Sequence, residues 1–188
     1  MNAQNQFWLF PTPVFTYDLQ DYVTEELQST VHQSEMDLNT LVDGSRPKLI
    51  PHTDYRFNEL FDKIQECIND FSDQIGLRRS TIFESWANIL RENGQVGAHR
   101  HYGSIISGAF YIEVDPNSAP IYFVSATEGF RMADMQVTAS YEKPYTPNIH
   151  SIQPYTGQLV LFPSWIEHYV GLNKTAKRVT LSFNTQVK

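Results

Sequence analysis

The chain is short of cysteine, of early basic residues and of long apolar runs. Its one cysteine, Cys67, cannot form an internal disulfide, which excludes a cystine-stapled secreted scaffold and points to a reducing compartment. Cys67 falls on an apolar helical face, where a buried core thiol is expected rather than a redox centre. No lysine or arginine precedes Arg46, so neither a signal peptide nor an arginine-rich transit peptide is expected. No apolar stretch approaches the roughly 18 residues a membrane span requires, and no membrane partner is expected. With a net charge of −7 the chain has little to draw it to a polyanion, which argues against nucleic acid as a partner. A cytoplasmic location follows as the expectation.

What is present suits a single folded domain over residues 1–188, with 41% hydrophobic and 13% aromatic residues. Charge is unevenly spread. Residues 1–75 carry 13 acidic and 4 basic side chains, whereas residues 76–188 carry 8 and 10. The second part is thus the electropositive one, the better host for an anionic ligand.

Residues 1–79 read as an extended N-terminus and supporting helices. Phe7–Phe15 holds Pro11 and Pro13, which favour extended backbone, and its aromatics would lie along the core edge or present a surface to a second copy of the chain. A helix is expected from Asp21 to about Leu38, with Glu25 and Glu26 near its positive end, then a loop over residues 39–56. Phe57, Leu60, Phe61, Ile64, Ile68, Phe71 and Ile75 recur at helical steps, and Gly76 stands where a C-terminal cap would. From residue 80 the pattern changes to short β-branched and aromatic segments separated by turn residues. Strands are expected over Ile82–Leu90, Ile105–Val114, Ile121–Val124, Gln136–Tyr141, Gln158–Phe162, His168–Leu172 and Arg178–Val187. Strands without helices between them argue against a parallel α/β sheet. They imply a mainly β protein with N-terminal helices, a jelly roll or cupin-like barrel with residues 80–188 as its core. Residues 125–157 are irregular and have the character of a lid over a binding site.

Chemistry concentrates in Gly97-Ala98-His99-Arg100-His101, in Trp165-Ile166-Glu167-His168 and in Arg178. Histidines two apart share a face of an extended segment, and His168 opens a later strand. Three neutral imidazoles make a good ligand shell for a divalent transition metal. Arg178, ten residues beyond His168, offers a fixed fork to a carboxylate. The set reads as a metal site with an anionic co-substrate beside it.

The motifs Leu9-Phe10-Pro11-Thr12-Pro13, Trp86-Ala87-Asn88, His99-Arg100-His101, Ser107-Gly108-Ala109-Phe110-Tyr111, Leu161–His168 and Arg178–Asn184 span nearly the whole chain. In this order they resemble the Fe(II)/2-oxoglutarate-dependent oxygenases of the prolyl hydroxylase type, and within them a group from bacteria and tailed phages. The resemblance implies a double-stranded β-helix and a dioxygenase using Fe(II), 2-oxoglutarate and O2, with succinate and CO2 released as a C–H bond of an unidentified substrate is hydroxylated. If the chain is phage-encoded, the cytoplasm is the host's. The resemblance makes His99 and His168 metal ligands, and puts His101 where the wider superfamily has a carboxylate. That exchange leaves the site one charge more positive and shifts it towards metals that favour imidazole, such as zinc, nickel and copper. Arg178, helped by Thr180, would pair with the distal carboxylate of 2-oxoglutarate, and Tyr111 would hydrogen-bond the same group. Asn88 either lines that pocket or closes a backbone hydrogen-bond network.

Two other readings compete. One is a three-histidine cupin-like dioxygenase without 2-oxoglutarate, which has no need of Arg178. The other is a non-catalytic jelly-roll module that binds a metal or ligand. His32, His52 and His150 are expected at the surface, Trp86 and Trp165 in the core or pocket wall, and Glu167 on the face opposite His168.

Overall fold

The computed structural model describes residues 12–36, 48–49, 52–126 and 149–187. The expected strand at Gln136–Tyr141 and most of the stretches 1–11, 39–51 and 125–148 lie outside the described residues.

Along the chain come β1 (Phe15–Asp18), α1 (Glu25–Met36), β2 (Lys48–Leu49), α2 (Asn58–Ile75), β3 (Thr81–Arg91), β4 (Val96–His99), β5 (Ile106–Val114), β6 (Ile121–Val124), β7 (Ile149–Ile152), β8 (Gln158–Pro163), β9 (His168–Val170) and β10 (Lys177–Gln186). They form two antiparallel sheets, ordered β1-β8-β5-β10-β3-β2 and β4-β9-β6-β7. This is the expected double-stranded β-helix, with the helices against one face of the larger sheet. No described helix is long and apolar enough to cross a membrane.

The first helix starts later than expected. Thr24 accepts the Leu27 N–H through its hydroxyl oxygen at 3.2 Å and the Gln28 N–H through its carbonyl, and so acts as the N-cap. Residues 20–22 form a separate turn of 3-10 helix instead. Four strands lie where none was expected: β1 after the extended N-terminal stretch, the two-residue β2 within the expected loop, and β4 and β7. β4 is broken up in sequence by Gly94 and Gly97, and β7 is four residues within the stretch read as irregular. Each is recognised only by its partner, β9 for β4 and β6 for β7.

α2 buries Leu60, Phe61, Ile64, Cys67, Ile68 and Phe71, and Gly76 ends it in the left-handed conformation at φ 74°. Its apolar stripe packs on Leu159 and Leu161 of β8 and on Val179, Leu181 and Phe183 of β10. Burial pushes the Cys67 thiol up to about 11, so it is inert core. A second cluster, with Tyr111, Phe123, Val160, Phe162 and Ile166, fills the space between the sheets.

Phe183 lies opposite Gly108 across the β10–β5 ladder. A Cβ on Gly108 would come within 2.2 Å of the Phe183 ring, so this position accepts no side chain without movement of the core. Gly108→Ala is expected to destabilise the fold by about 1–3 kcal/mol, read as a lowered urea midpoint at unchanged slope.

Candidate active site

β10 is paired on both sides, so its inward side chains have neighbours from two strands. Three rows result: Asn88–Thr180–Tyr111, Trp86–Ser182–Ala109 and Glu84–Asn184–Ser107, each read from β3 through β10 to β5. Arg178 begins the series. Alternation along β10 sends Val179, Leu181 and Phe183 to the helices and lines the pocket with Arg178, Thr180 and Ser182.

The histidines come from the smaller sheet. His99, the last residue of β4, pairs in register with His168, the first of β9. His101 follows in a turn held by its N–H to the Ser164 carbonyl at 3.0 Å. One ring nitrogen from each of the three lies within 4.8 Å of the others. His99 Nδ1 is 2.8 Å from the Gly97 carbonyl, and His168 Nδ1 is 3.1 Å from that of Ile166. A carbonyl only accepts, so both rings carry their proton on Nδ1 and turn the Nε2 lone pair inward. Burial, with the other imidazoles nearby, pushes His168 down to about 3. Burial and His99 push His101 down to about 4. Both are neutral at pH 7, the state a metal requires.

Arg178 lies farther along β10. It is 3% exposed, donates from Nε to the Ala119 carbonyl at 2.9 Å and from one terminal nitrogen to the Tyr111 hydroxyl at 3.1 Å. Its guanidinium carbon stands 4.9 Å from the Tyr111 ring centroid. Burial pushes its pKa down and Tyr111 opposes the shift, but a guanidinium stays charged. Among the described residues no carboxylate pairs with it. Burial likewise pushes the Tyr111 hydroxyl up, so it remains a neutral phenol with a hydrogen to donate.

All seven residues expected at the site are therefore in one region. Asn88 lines the pocket and donates to Ser182 Oγ at 2.9 Å, a bond to a side chain and not to the backbone. Thr180 is buried against the same pocket. Tyr111 accepts from Arg178 at 3.1 Å and so stands beside the guanidinium it was expected to assist. Glu167 faces away from the histidines and pairs with Arg100 at 3.2 Å. Trp86 is pocket wall, whereas Trp165, in the turn between β8 and β9, is 53% exposed rather than buried. His150 is exposed as expected. His32 is not simply solvated: it meets Glu113 at 2.8 Å and Lys177 at 3.2 Å, joining α1 to the larger sheet.

The sequence reading assigned no role to the polar group behind His101. Asn184 contacts His101, Glu84 and Ser107, and Ser107 contacts Ser164. The available signal was the unbroken polar alternation Arg178, Thr180, Ser182, Asn184 along a buried strand.

The fold and site define a double-stranded β-helix whose pocket has imidazoles at one end and, at the other, a guanidinium with no carboxylate partner among the described residues. The family described as "Putative 2OG-Fe(II) oxygenase" matches residues 84–184, and the chain belongs to it. It is thus an oxygenase that works with Fe(II), 2-oxoglutarate and O2. Among solved structures it resembles a prolyl-4-hydroxylase of Pseudomonas putida, at 13% identity and TM-score 0.65 over 94% of each chain. It also resembles HygX of Streptomyces hygroscopicus with nickel and 2-oxoglutarate bound, at 10% identity and TM-score 0.63 over 94% of this chain and 83% of that one. A third is SnoN, an α-ketoglutarate-dependent epimerase of nogalamycin biosynthesis, at 10% identity and TM-score 0.67 over 94% and 79%. At such identities these likenesses speak for the fold alone. No curated protein matches the chain.

The depressed histidines predict a pH dependence for the chelated, metal-free protein. An unfolded histidine binds a proton near 6.5, whereas His101 and His168 do so only near 4 and 3. Between these values the unfolded state holds more protons, so stability falls as pH drops from about 6.5 towards 4. Urea unfolding across that range is expected to show the loss, and His168→Asn to flatten it.

Proposed function

We propose that His99, His101 and His168 hold the Fe(II) and that Arg178 receives the distal carboxylate of 2-oxoglutarate, with Tyr111, Thr180 and Asn88 in support. The enzyme then hydroxylates a C–H bond of its substrate as 2-oxoglutarate becomes succinate and CO2. The observation that carries this reading is the guanidinium of Arg178, buried at one end of the pocket with no described acidic partner. A charge held out of water in this way is costly, and a dicarboxylate co-substrate supplies the missing anion. The donor set fits the metal, since three imidazoles converge and two have their tautomers fixed by carbonyls.

When bound, the iron supplies O2 activation coupled to decarboxylation of the keto acid. The protein's own residues bind, orient and exclude water. Ala119 and Tyr111 fix the Arg178 fork, and the Tyr111 hydroxyl, having accepted from Arg178, keeps its hydrogen for the incoming carboxylate. Asn88 and Ser182 hold one wall in place, while Phe162 and Ile121 keep the pocket dry. A third imidazole in place of a carboxylate leaves the centre one charge more positive, which favours zinc, nickel and copper as competitors for the site. The finer kinship with the group from bacteria and tailed phages, a cytoplasmic setting, a single domain over residues 1–188 and pairing into a homodimer belong to the same reading, on the motifs and composition.

Anaerobic titration of the Fe(II)-loaded protein with 2-oxoglutarate tests it. A visible charge-transfer band is expected for the wild type. Arg178→Ala should weaken 2-oxoglutarate binding by about 30-fold or more, since truncating one partner of a buried charge pair costs about 2–5 kcal/mol. His168→Ala should lose the metal. A wild type that binds iron but gives no band and no 2-oxoglutarate binding contradicts the reading.

A further inference from the structure

The three imidazoles are not held alike. His99 and His168 each give Nδ1–H to a backbone carbonyl two residues earlier, which fixes their tautomers whatever the side chains around them do. Among the described residues no carbonyl stands so against a ring nitrogen of His101. Its Nδ1 lies 3.2 Å from the amide of Asn184, a buried side chain.

The orientation of that amide follows from its other contacts. One end is 2.6 Å from Glu84 Oε1 and the other 2.7 Å from Ser107 Oγ. A carboxylate oxygen accepts only, so the nitrogen faces Glu84 and the amide oxygen accepts from the Ser107 hydroxyl. The same nitrogen faces His101 Nδ1, which must then be the lone-pair nitrogen, with the ring proton on Nε2. That proton points at His168 Nε2 at 3.3 Å, itself a lone pair because His168 has its proton on Nδ1. Every contact in the chain Glu84–Asn184–His101–His168 is satisfied only in this arrangement.

Ligation through Nε2 needs the opposite tautomer, with the proton on Nδ1 and an oxygen to receive it. The Asn184 amide can provide that oxygen by exchanging its two ends, which requires the Glu84 carboxylate to leave its 2.6 Å contact with the amide. Ser107 and Ser164, 2.8 Å apart with either able to donate, can reverse their hydrogen bond to suit. We infer that Glu84 and Asn184 are positioning residues that set which nitrogen of His101 carries the proton, making His101 the ligand whose readiness is gated while His99 and His168 stand ready. The inference rests on the reading of these three histidines as the metal ligands.

Long-range proton–nitrogen correlation on protein with 15N-labelled histidine rings tests it, with Zn(II) as the probe metal and affinity measured by dye competition. In the wild type without zinc, His99 and His168 should show the proton on Nδ1 and His101 on Nε2. With zinc, all three should show Nδ1–H. Asn184→Asp supplies a fixed acceptor and should place the His101 proton on Nδ1 before zinc is added. Glu84→Ala frees the amide and should move His101 in the same direction. Asn184→Leu should weaken zinc binding by about 10–100-fold. If the Leu variant fails to fold, the Asp and Ala variants decide the matter through the His101 signal. Zinc bound by His99, His101 and His168 with the His101 proton on Nδ1 throughout, or a tautomer that none of the variants alters, overturns this inference alone. Zinc not bound by these histidines overturns the ligand assignment as well.

Discussion

Everything in this structure depends on β10 being buried on both faces. A strand in that position must satisfy two environments with alternate residues. One set, Val179, Leu181 and Phe183, is apolar and receives the helices. The other, Arg178, Thr180, Ser182 and Asn184, is polar and faces the space between the sheets. A buried polar stripe is stable only when its groups find partners: Asn184 meets Glu84 and Ser107 at its own register positions, Ser182 accepts from Asn88, and Arg178 donates to Tyr111 and to the Ala119 carbonyl. Thus the strand that closes the core also carries the site. A slip of one residue would exchange the two faces and remove both.

Charge distribution along that stripe separates two tasks. At one end burial keeps imidazoles neutral, which suits a metal. At the other, the same burial isolates a guanidinium that cannot shed its proton. Its neighbours are a carbonyl, a phenol and an aromatic face, which orient the cation without neutralising it. Among the described residues no carboxylate balances this charge, and on the proposed reading a dianionic keto acid does so.

How far this was legible in the sequence differs by residue for physical reasons. α2 and β10 announce themselves, because seven apolar residues at helical steps and a strict alternation are local signals. The histidine pair and Arg178 are visible by residue type and order, since few other chemistries need both. Local patterns do not reveal β4 and β7, which have almost no intrinsic strand signal and exist through pairing. The start of α1 turned on one hydroxyl at Thr24. Hydrophobicity alone places Trp165 inside, yet it is exposed in the turn between β8 and β9. The role of Asn184 emerges only from contacts with Glu84 and Ser107, 100 and 77 residues away in the chain. Such a network has no local sequence signature.

The central claim is that one pocket joins a three-imidazole metal centre to a carboxylate clamp. A crystal structure grown anaerobically with Fe(II) and 2-oxoglutarate, with anomalous data at the iron edge, tests it most directly. The account predicts one iron peak among Nε2 of His99, His101 and His168, and a carboxylate of 2-oxoglutarate on Arg178 and Tyr111. Iron bound elsewhere, or 2-oxoglutarate held without Arg178, would contradict it.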